Sequence, residues 1–149
     1  MTFVIKSLSR ILFLLPFLIS SAAYAAPLAY RDSNPTLGGY DVVAYFTESR
    51  AVPGKKEISD QWAGKTWRFS SEENKQRFMQ NPKAYAPQYD GVCAYAVSQN
   101  AIAPIDPEAW SIVNGKLYLN NSLSVRTRWQ KNHAKYIGQG DANWVRLSQ

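Results

Sequence analysis

Cys93 is the only cysteine among the 149 residues, and it stands in the stretch YDGVCAYAVSQN. A single cysteine cannot form a disulfide within its own chain, and no C-x-x-C pair is present for dithiol chemistry. As a catalytic residue, a thiolate at Cys93 would need an external resolving thiol, or it would cycle through a sulfenic acid. The same thiolate could instead bind a soft metal. The third alternative is an inert thiol that packs in the core as a small hydrophobic group.

Few other side chains suit a soft metal. His133 is the only histidine, and Met79 is one of two methionines. Together with Cys93 they fall short of the four ligands of a closed zinc site, but they are a plausible set for copper(I). We therefore expect any metal to be copper or another soft ion, and haem stays open as a cofactor. The simpler predictions are a surface position for His133 and a core position for Met79.

The residues around Cys93 favour a ligand pocket. Gly91 permits a tight turn just before Cys93, so Cys93 could open a helix, and a helix N-terminus lowers the pKa of a thiol. Asp90 could accept a backbone hydrogen bond in that turn. We predict a pocket lined by Tyr45, Tyr89, Asp90, Gly91, Cys93 and Tyr95. Core packing of the tyrosines is the alternative.

Residues 1–25 have the layout of a secretory signal peptide. MTFVIKSLSR carries Lys6 and Arg10 without an acid, ILFLLPFLIS is an apolar run, and Ala23-Tyr24-Ala25 provides a small-residue cleavage site. The apolar run is far shorter than the roughly 20 residues that span a bilayer, so an uncleaved anchor is the weaker reading. We predict cleavage after Ala25, export to a bacterial periplasm, and a mature domain at residues 26–149 without a stable membrane anchor.

Length and charge limit the remaining choices. The mature chain has the length of one domain and can bury a core without disulfides. The formal net charge of the full sequence is +6, and its basic residues are spread along the chain. A solvated surface explains this spread, so we expect no nucleic-acid partner. A periplasmic redox or metal-handling protein stays open as a partner.

Turn residues predict two β-hairpins. Asn114-Gly115 between two apolar segments is the preferred type I′ hairpin turn, and Ala63-Gly64 divides an earlier pair of strands. The segment YDVVAYF before the first hairpin reads as a strand or a single helical turn. The fold class is therefore α+β, a small single domain in which helices follow each hairpin. This repeated order is too general to establish an internal repeat.

Capping residues predict where the helices begin. Ser70, with Glu73 three residues later, forms a capping box after the first hairpin. Asn81-Pro82 marks a second start, with Pro82 in the first helical position. Asn121 or Ser122 should cap a helix after the second hairpin, and Asp141 a last short one.

The combined pattern resembles the YHS-domain family, in particular its small exported branch. The family has a short segment beginning with Asp, a hairpin ending in F-C-S, and a helix leading into N-P-x-x-Y. The corresponding residues here are Asp41-Val42-Val43, Trp67 to Ser71, and Asn81 to Tyr85. The exported branch carries a G-x-C-A-Y motif, which matches Gly91 to Tyr95. The resemblance covers nearly all of the mature chain.

The resemblance implies a function centred on Cys93 rather than on the family's usual metal site. Metal-associated YHS and TRASH-like domains carry F-C-S-x-x-C, whereas Ser70 and Asn74 stand at those cysteine positions here. Some relatives resembling this chain are selenoproteins, with selenocysteine placed at the Cys93 position, which implies a reactive or ligating role. We therefore expect a periplasmic module that binds a small ligand or metal around Cys93. A thiol-dependent redox protein and an interaction module with an inert thiol are the alternatives, so enzymatic activity stays open.

Overall fold

The computed structural model describes residues 34–149. The predicted signal peptide, residues 1–25, lies outside the described residues. Within the described range, no helix has the length and apolar character needed to cross a membrane.

Two antiparallel hairpins, each followed by helices, confirm the predicted α+β class. Before each hairpin comes a 3-10 turn, Thr36–Gly39 or Gln88–Gly91. The first half contains α1 (Ala44–Thr47), β1 (Lys55–Trp62), β2 (Lys65–Phe69), α2 (Glu72–Gln80) and α3 (Pro82–Tyr85). The second half contains α4 (Ala94–Ser98), β3 (Asp106–Val113), β4 (Lys116–Asn120), α5 (Leu123–Gln130) and α6 (His133–Leu147). The segment YDVVAYF thus ends in a single helical turn, which was one of its two predicted forms.

Both hairpins turn at the predicted residues. Ala63 and Gly64 have φ values of 52° and 73°, and Asn114 and Gly115 have 51° and 71°. Positive φ at both central residues is the hallmark of the type I′ turn, whose twist matches that of the flanking strands. The two turns therefore set the same strand register.

The second hairpin repeats the first in detail. Lys55 pairs with Phe69, and Asp106 pairs with Asn120. The offset is 51 residues in both cases, and each first strand has an irregularity directly after its first pair. The chain therefore contains a structural repeat, which its sequence alone did not establish. We call residues 36–85 the first unit and residues 88–136 the second unit.

The helices after the hairpins follow the same repeat. The side chain of Ser71 accepts a hydrogen bond from the Asn74 N–H at 3.1 Å, which caps α2. Ser122 accepts from the Val125 N–H at 3.3 Å, which caps α5 as predicted. The next helices begin after Asn81 in NPKAY and after Asn132 in NHAKY.

The prediction that Ser70 caps α2 is wrong, because Ser71 takes that position. The N–H and the hydroxyl of Ser70 both donate to the buried carboxylate of Asp41, at 2.8 and 2.6 Å. Glu73 consequently does not close a capping box and instead pairs with Arg77, one helical turn further on.

The prediction of a short last helix capped by Asp141 is also wrong. Helix α6 is continuous from His133 to Leu147, and Asp141 lies within it. The Asp141 carboxylate accepts a hydrogen bond from the Tyr89 hydroxyl at 2.8 Å. Gly140 makes this approach feasible, since a Cβ there would lie 2.7 Å from the Tyr89 oxygen. Glycines within α6 hid the helix, because glycine has a low helix propensity.

Strand β4 is buried on both faces. Leu117 and Leu119 belong to one hydrophobic cluster, which also contains Phe69, while Tyr118 belongs to a second cluster with Trp129. Ile112 on the neighbouring strand β3 stays 36% exposed. The two clusters thus hold the units together around β4 and leave the outer side of β3 open.

Candidate functional site

Cys93 directly precedes α4 and is buried, with 1% of its surface exposed. Gly91 has φ +77° and makes the predicted turn before it, so the prediction that Cys93 opens a helix is confirmed. Tyr89 and Asp90 share this left-handed backbone, with φ values of 55° and 52°. The turn carries the chain directly into the core.

The surroundings of the thiol favour its protonated form. Burial raises the pKa of Cys93, while nearby backbone N–H groups of Ala96, Asn121 and Tyr95 lower it without offsetting the effect of burial. The Sγ atom lies 3.8 Å from Asn120 Oδ1 and donates a weak hydrogen bond to it. The same oxygen accepts from the Tyr95 N–H at 3.1 Å. A neutral, buried S–H group is a poor nucleophile, because the thiolate is the reactive form.

Asp41 occupies the corresponding place in the first unit. Its side chain is fully buried, and its carboxylate accepts four hydrogen bonds. The donors are the Val43 N–H at 2.9 Å, the N–H and hydroxyl of Ser70, and Asn74 Nδ2 at 2.8 Å. Ser70 and Asn74, which stand where metal-associated relatives carry cysteines, therefore bind a carboxylate within the protein itself.

Backbone contacts relate Cys93 to Asp41. The Asp41 N–H donates to the Val52 carbonyl at 2.8 Å, and the Cys93 N–H donates to the Ala103 carbonyl at 3.0 Å. The Asp41 side chain accepts from the backbone N–H of Ser70, which follows the first hairpin. The Cys93 side chain likewise lies against the backbone N–H of Asn121, which follows the second hairpin. Cys93 therefore occupies the place in the second unit that Asp41 occupies in the first, with a thiol instead of a carboxylate.

The predicted metal ligands lie in three different settings. Cys93 is in the core, while His133 begins α6 and stacks on Trp129 with ring centroids 5.9 Å apart. Met79 is 39% exposed on α2, so the prediction of a core position for it is wrong. Among the described residues, no three His, Cys, Asp or Glu side chains are grouped to hold a metal ion. The donors present at Cys93 do not fit a metal centre.

The predicted pocket residues also separate. Tyr95 stays beside Cys93 through Asn120. Tyr89 and Asp90 line an open cleft of about 290 Å³ next to α6. Gly91 packs against Leu37, and a Cβ on it would lie 2.8 Å from that side chain. Cys93 lines none of the cavities described here, whereas Tyr45 lines a different one.

Tyr45 and His133 both line a groove of about 520 Å³, which lies between β3 and α5 of the second unit and α1 of the first. Its aromatic and polar lining residues include Tyr45, Trp110, Ser111, Arg126, Trp129 and His133. Sequence reasoning missed Trp110, Arg126 and Trp129 as site residues. No local motif marks them, because only the packing of α5 on β3 brings them together.

Two donors in this groove lack acceptors among the described residues. The Nε1–H of Trp129 is buried without a hydrogen-bond partner, and so is the Nε–H of Arg126. The guanidinium of Arg126 lies over the ring of Trp110, 5.5 Å from its centroid. A buried donor without an acceptor costs about 1–3 kcal/mol, so natural proteins keep few such groups.

Comparison with known proteins agrees with the fold of the first unit. Residues 43–89 match the family model of the YHS domain. No curated protein and no solved structure matches the chain. A YHS domain suggests a metal-binding module in general terms. The matched residues end before Cys93 and before most of the groove, and placement in a small exported branch stays a prediction.

Replacing Asp41 with Asn tests the buried carboxylate. The amide presents an NH₂ group where one carboxylate oxygen accepts from Ser70 and Asn74, so donors face donors. We expect Asp41→Asn to lower the free energy of unfolding by about 3 kcal/mol in denaturant titrations. The exposed control Glu57→Gln should stay within about 0.5 kcal/mol of the wild type. An Asp41→Asn protein as stable as that control would contradict the role of Asp41.

Proposed function

We propose that this protein is a YHS-type module that binds a small ligand in the groove of the second unit and does not use Cys93 as a nucleophile. The observation that carries the proposal is the pair of buried, unpaired donors on Trp129 and Arg126, which line that groove. A groove of about 520 Å³ has the usual size of a small-molecule site.

A thiol-dependent redox enzyme is less well supported. Such an enzyme needs an accessible thiolate with a lowered pKa. Cys93 is 1% exposed, and burial raises the pKa of its thiol. The other alternative, an interaction module with an inert thiol, gives Cys93 the same structural role as the proposal. It differs from the proposal only because its groove would bind no small ligand.

A soft-metal site at Cys93 is also disfavoured. Metal binding requires the thiolate, whereas burial favours the thiol. The nearest side-chain partner of Cys93 is the oxygen of Asn120, which is a hard ligand. Metal uptake through Cys93 would therefore require opening of the core.

Indole, benzamide and benzoate test the groove at millimolar concentration. Their effect on backbone amide chemical shifts can be followed by NMR on the protein without its leader. We expect the largest changes at the amides of β3 and α5, because these two elements form the groove. The amides of β1 and α2 provide an internal control, since they form the equivalent part of the first unit.

Changes confined to the first unit, changes centred on Cys93, or no changes with any of the three probes would contradict the proposal. Saturable changes on β3 and α5 that persist in a Cys93→Ala variant would support it. That variant separates groove binding from any contribution of the thiol.

Export is proposed from the leader in the sequence. We expect residues 1–149, expressed in a bacterial host, to yield a periplasmic protein whose intact mass is that of a chain beginning at Ala26. Its physical basis is the short apolar run followed by Ala23-Tyr24-Ala25. A protein that keeps residues 1–25, or that accumulates in the cytoplasm, would contradict this assignment.

A further inference from the structure

We propose that the groove selects ligands that carry a carboxylate on a flat, apolar body. The inference rests on the proposed function, because it names the chemical class that the same groove would take. Its evidence is the charge of the groove, the contrast with the first unit, and the aromatic walls.

The polar groups of the groove favour a negatively charged acceptor. Neither a guanidinium nor an indole N–H can accept a hydrogen bond, so Arg126 and Trp129 cannot satisfy each other. Arg126 forms no salt bridge within the part of the chain that the structure describes. The residues that line the groove include no Asp or Glu. A carboxylate in the groove would pair with the guanidinium of Arg126, because it is the acceptor that a guanidinium binds most strongly.

The first unit shows the same position with its charge already neutralised. Lys75, the counterpart of Arg126, lies 3.5 Å from the carboxylate of Asp60. The repeat places Ser111 where Asp60 stands, so Arg126 has lost the acid that would pair with it. Ser111 instead accepts a hydrogen bond from Gln130 at 3.1 Å.

The indole donor is likewise specific to the second unit. Phe78 is the counterpart of Trp129, and it is fully buried without any polar atom in its side chain. Both the unpaired cation and the unpaired N–H thus occur in the unit that carries the groove. The two units therefore share a fold, but among the described residues only the second leaves the cation on this helix without an acid.

The groove walls suit a planar apolar body. The rings of Tyr45 and Trp110 lie 5.5 Å apart at an angle of 53°. The hydroxyl of Tyr45 donates to the Pro107 carbonyl at 3.0 Å, which fixes the ring. Tyr45 is itself fully buried, so the partly exposed ring of Trp110 is the aromatic surface of this pair that a ligand can contact.

Calorimetric titration with 2-naphthoate and its neutral analogue 2-naphthamide tests the inference on the protein without its leader. We expect naphthoate to bind about tenfold more tightly than naphthamide, because only the carboxylate carries a charge for Arg126. Arg126→Gln should reduce naphthoate affinity to about the level of naphthamide. The matched control Lys75→Gln should leave naphthoate affinity unchanged, since Lys75 is already paired in the first unit.

Ser111→Asp provides a second variant, which restores the acid of the first unit next to Arg126. It should weaken naphthoate binding about tenfold, because the new carboxylate pairs with Arg126 and repels the ligand's charge. Equal affinity of the two compounds for the wild-type protein would overturn the inference without requiring any variant to fold.

The outcomes also separate this inference from the proposed function. If both compounds bind equally and shift the amides of β3 and α5, the groove binds ligands but does not select a carboxylate. If neither compound binds and the smaller aromatic probes cause no shifts, both proposals fail. Naphthoate binding that is insensitive to Arg126→Gln and Ser111→Asp would also overturn the carboxylate selectivity.

Discussion

The buried carboxylate of Asp41 is the interaction on which the architecture of the first unit depends. A charge in the core is stable only when hydrogen bonds replace its water shell. Four donors do so here, and they come from the start of α1, the end of β2 and the first turns of α2. Their convergence fixes the hairpin against its helix. Cys93 holds the equivalent place in the second unit, where a neutral thiol makes a smaller demand on its surroundings and the Asn120 oxygen completes the contact.

The repeat lets the two units be compared position by position, and they differ in which polar groups are paired. In the first unit the polar groups around α2 are paired with each other, as Lys75 is with Asp60. In the second unit the same backbone leaves Arg126 without an acid and gives Trp129 a donor that Phe78 lacks. The first unit thus pairs the cation on this helix with an acid, and the second leaves it unpaired beside a groove. On this account Cys93 has a structural role in the core, and the groove beside β3 and α5 binds the ligand.

Local signals in the sequence predicted most of the fold, and tertiary contacts account for the errors. The Asn114-Gly115 turn and the Ser122 cap depend on neighbouring residues alone, so they could be read directly. Ser70 was assigned the wrong role because Asp41, distant in the chain, recruits its hydroxyl. The repeat was hidden because few aligned positions are identical, and many share only aromatic or polar character, as Phe78 and Trp129 do. The groove could not be predicted, since Trp110 and Arg126 meet only when α5 packs on β3. The sequence left the state of Cys93 open, because the burial of its thiol depends on packing that no local pattern encodes.

The reactivity of Cys93 tests this account most directly. The rate at which the thiol reagent DTNB modifies the protein can be followed at neutral pH across a denaturant series, beside global unfolding in the same samples. The account predicts a thiol that reacts only when the core opens, with an opening free energy equal to that of global unfolding. Stoichiometric modification of the folded protein, at a rate near that of a free cysteine, would show an accessible thiolate and contradict the structural role of Cys93.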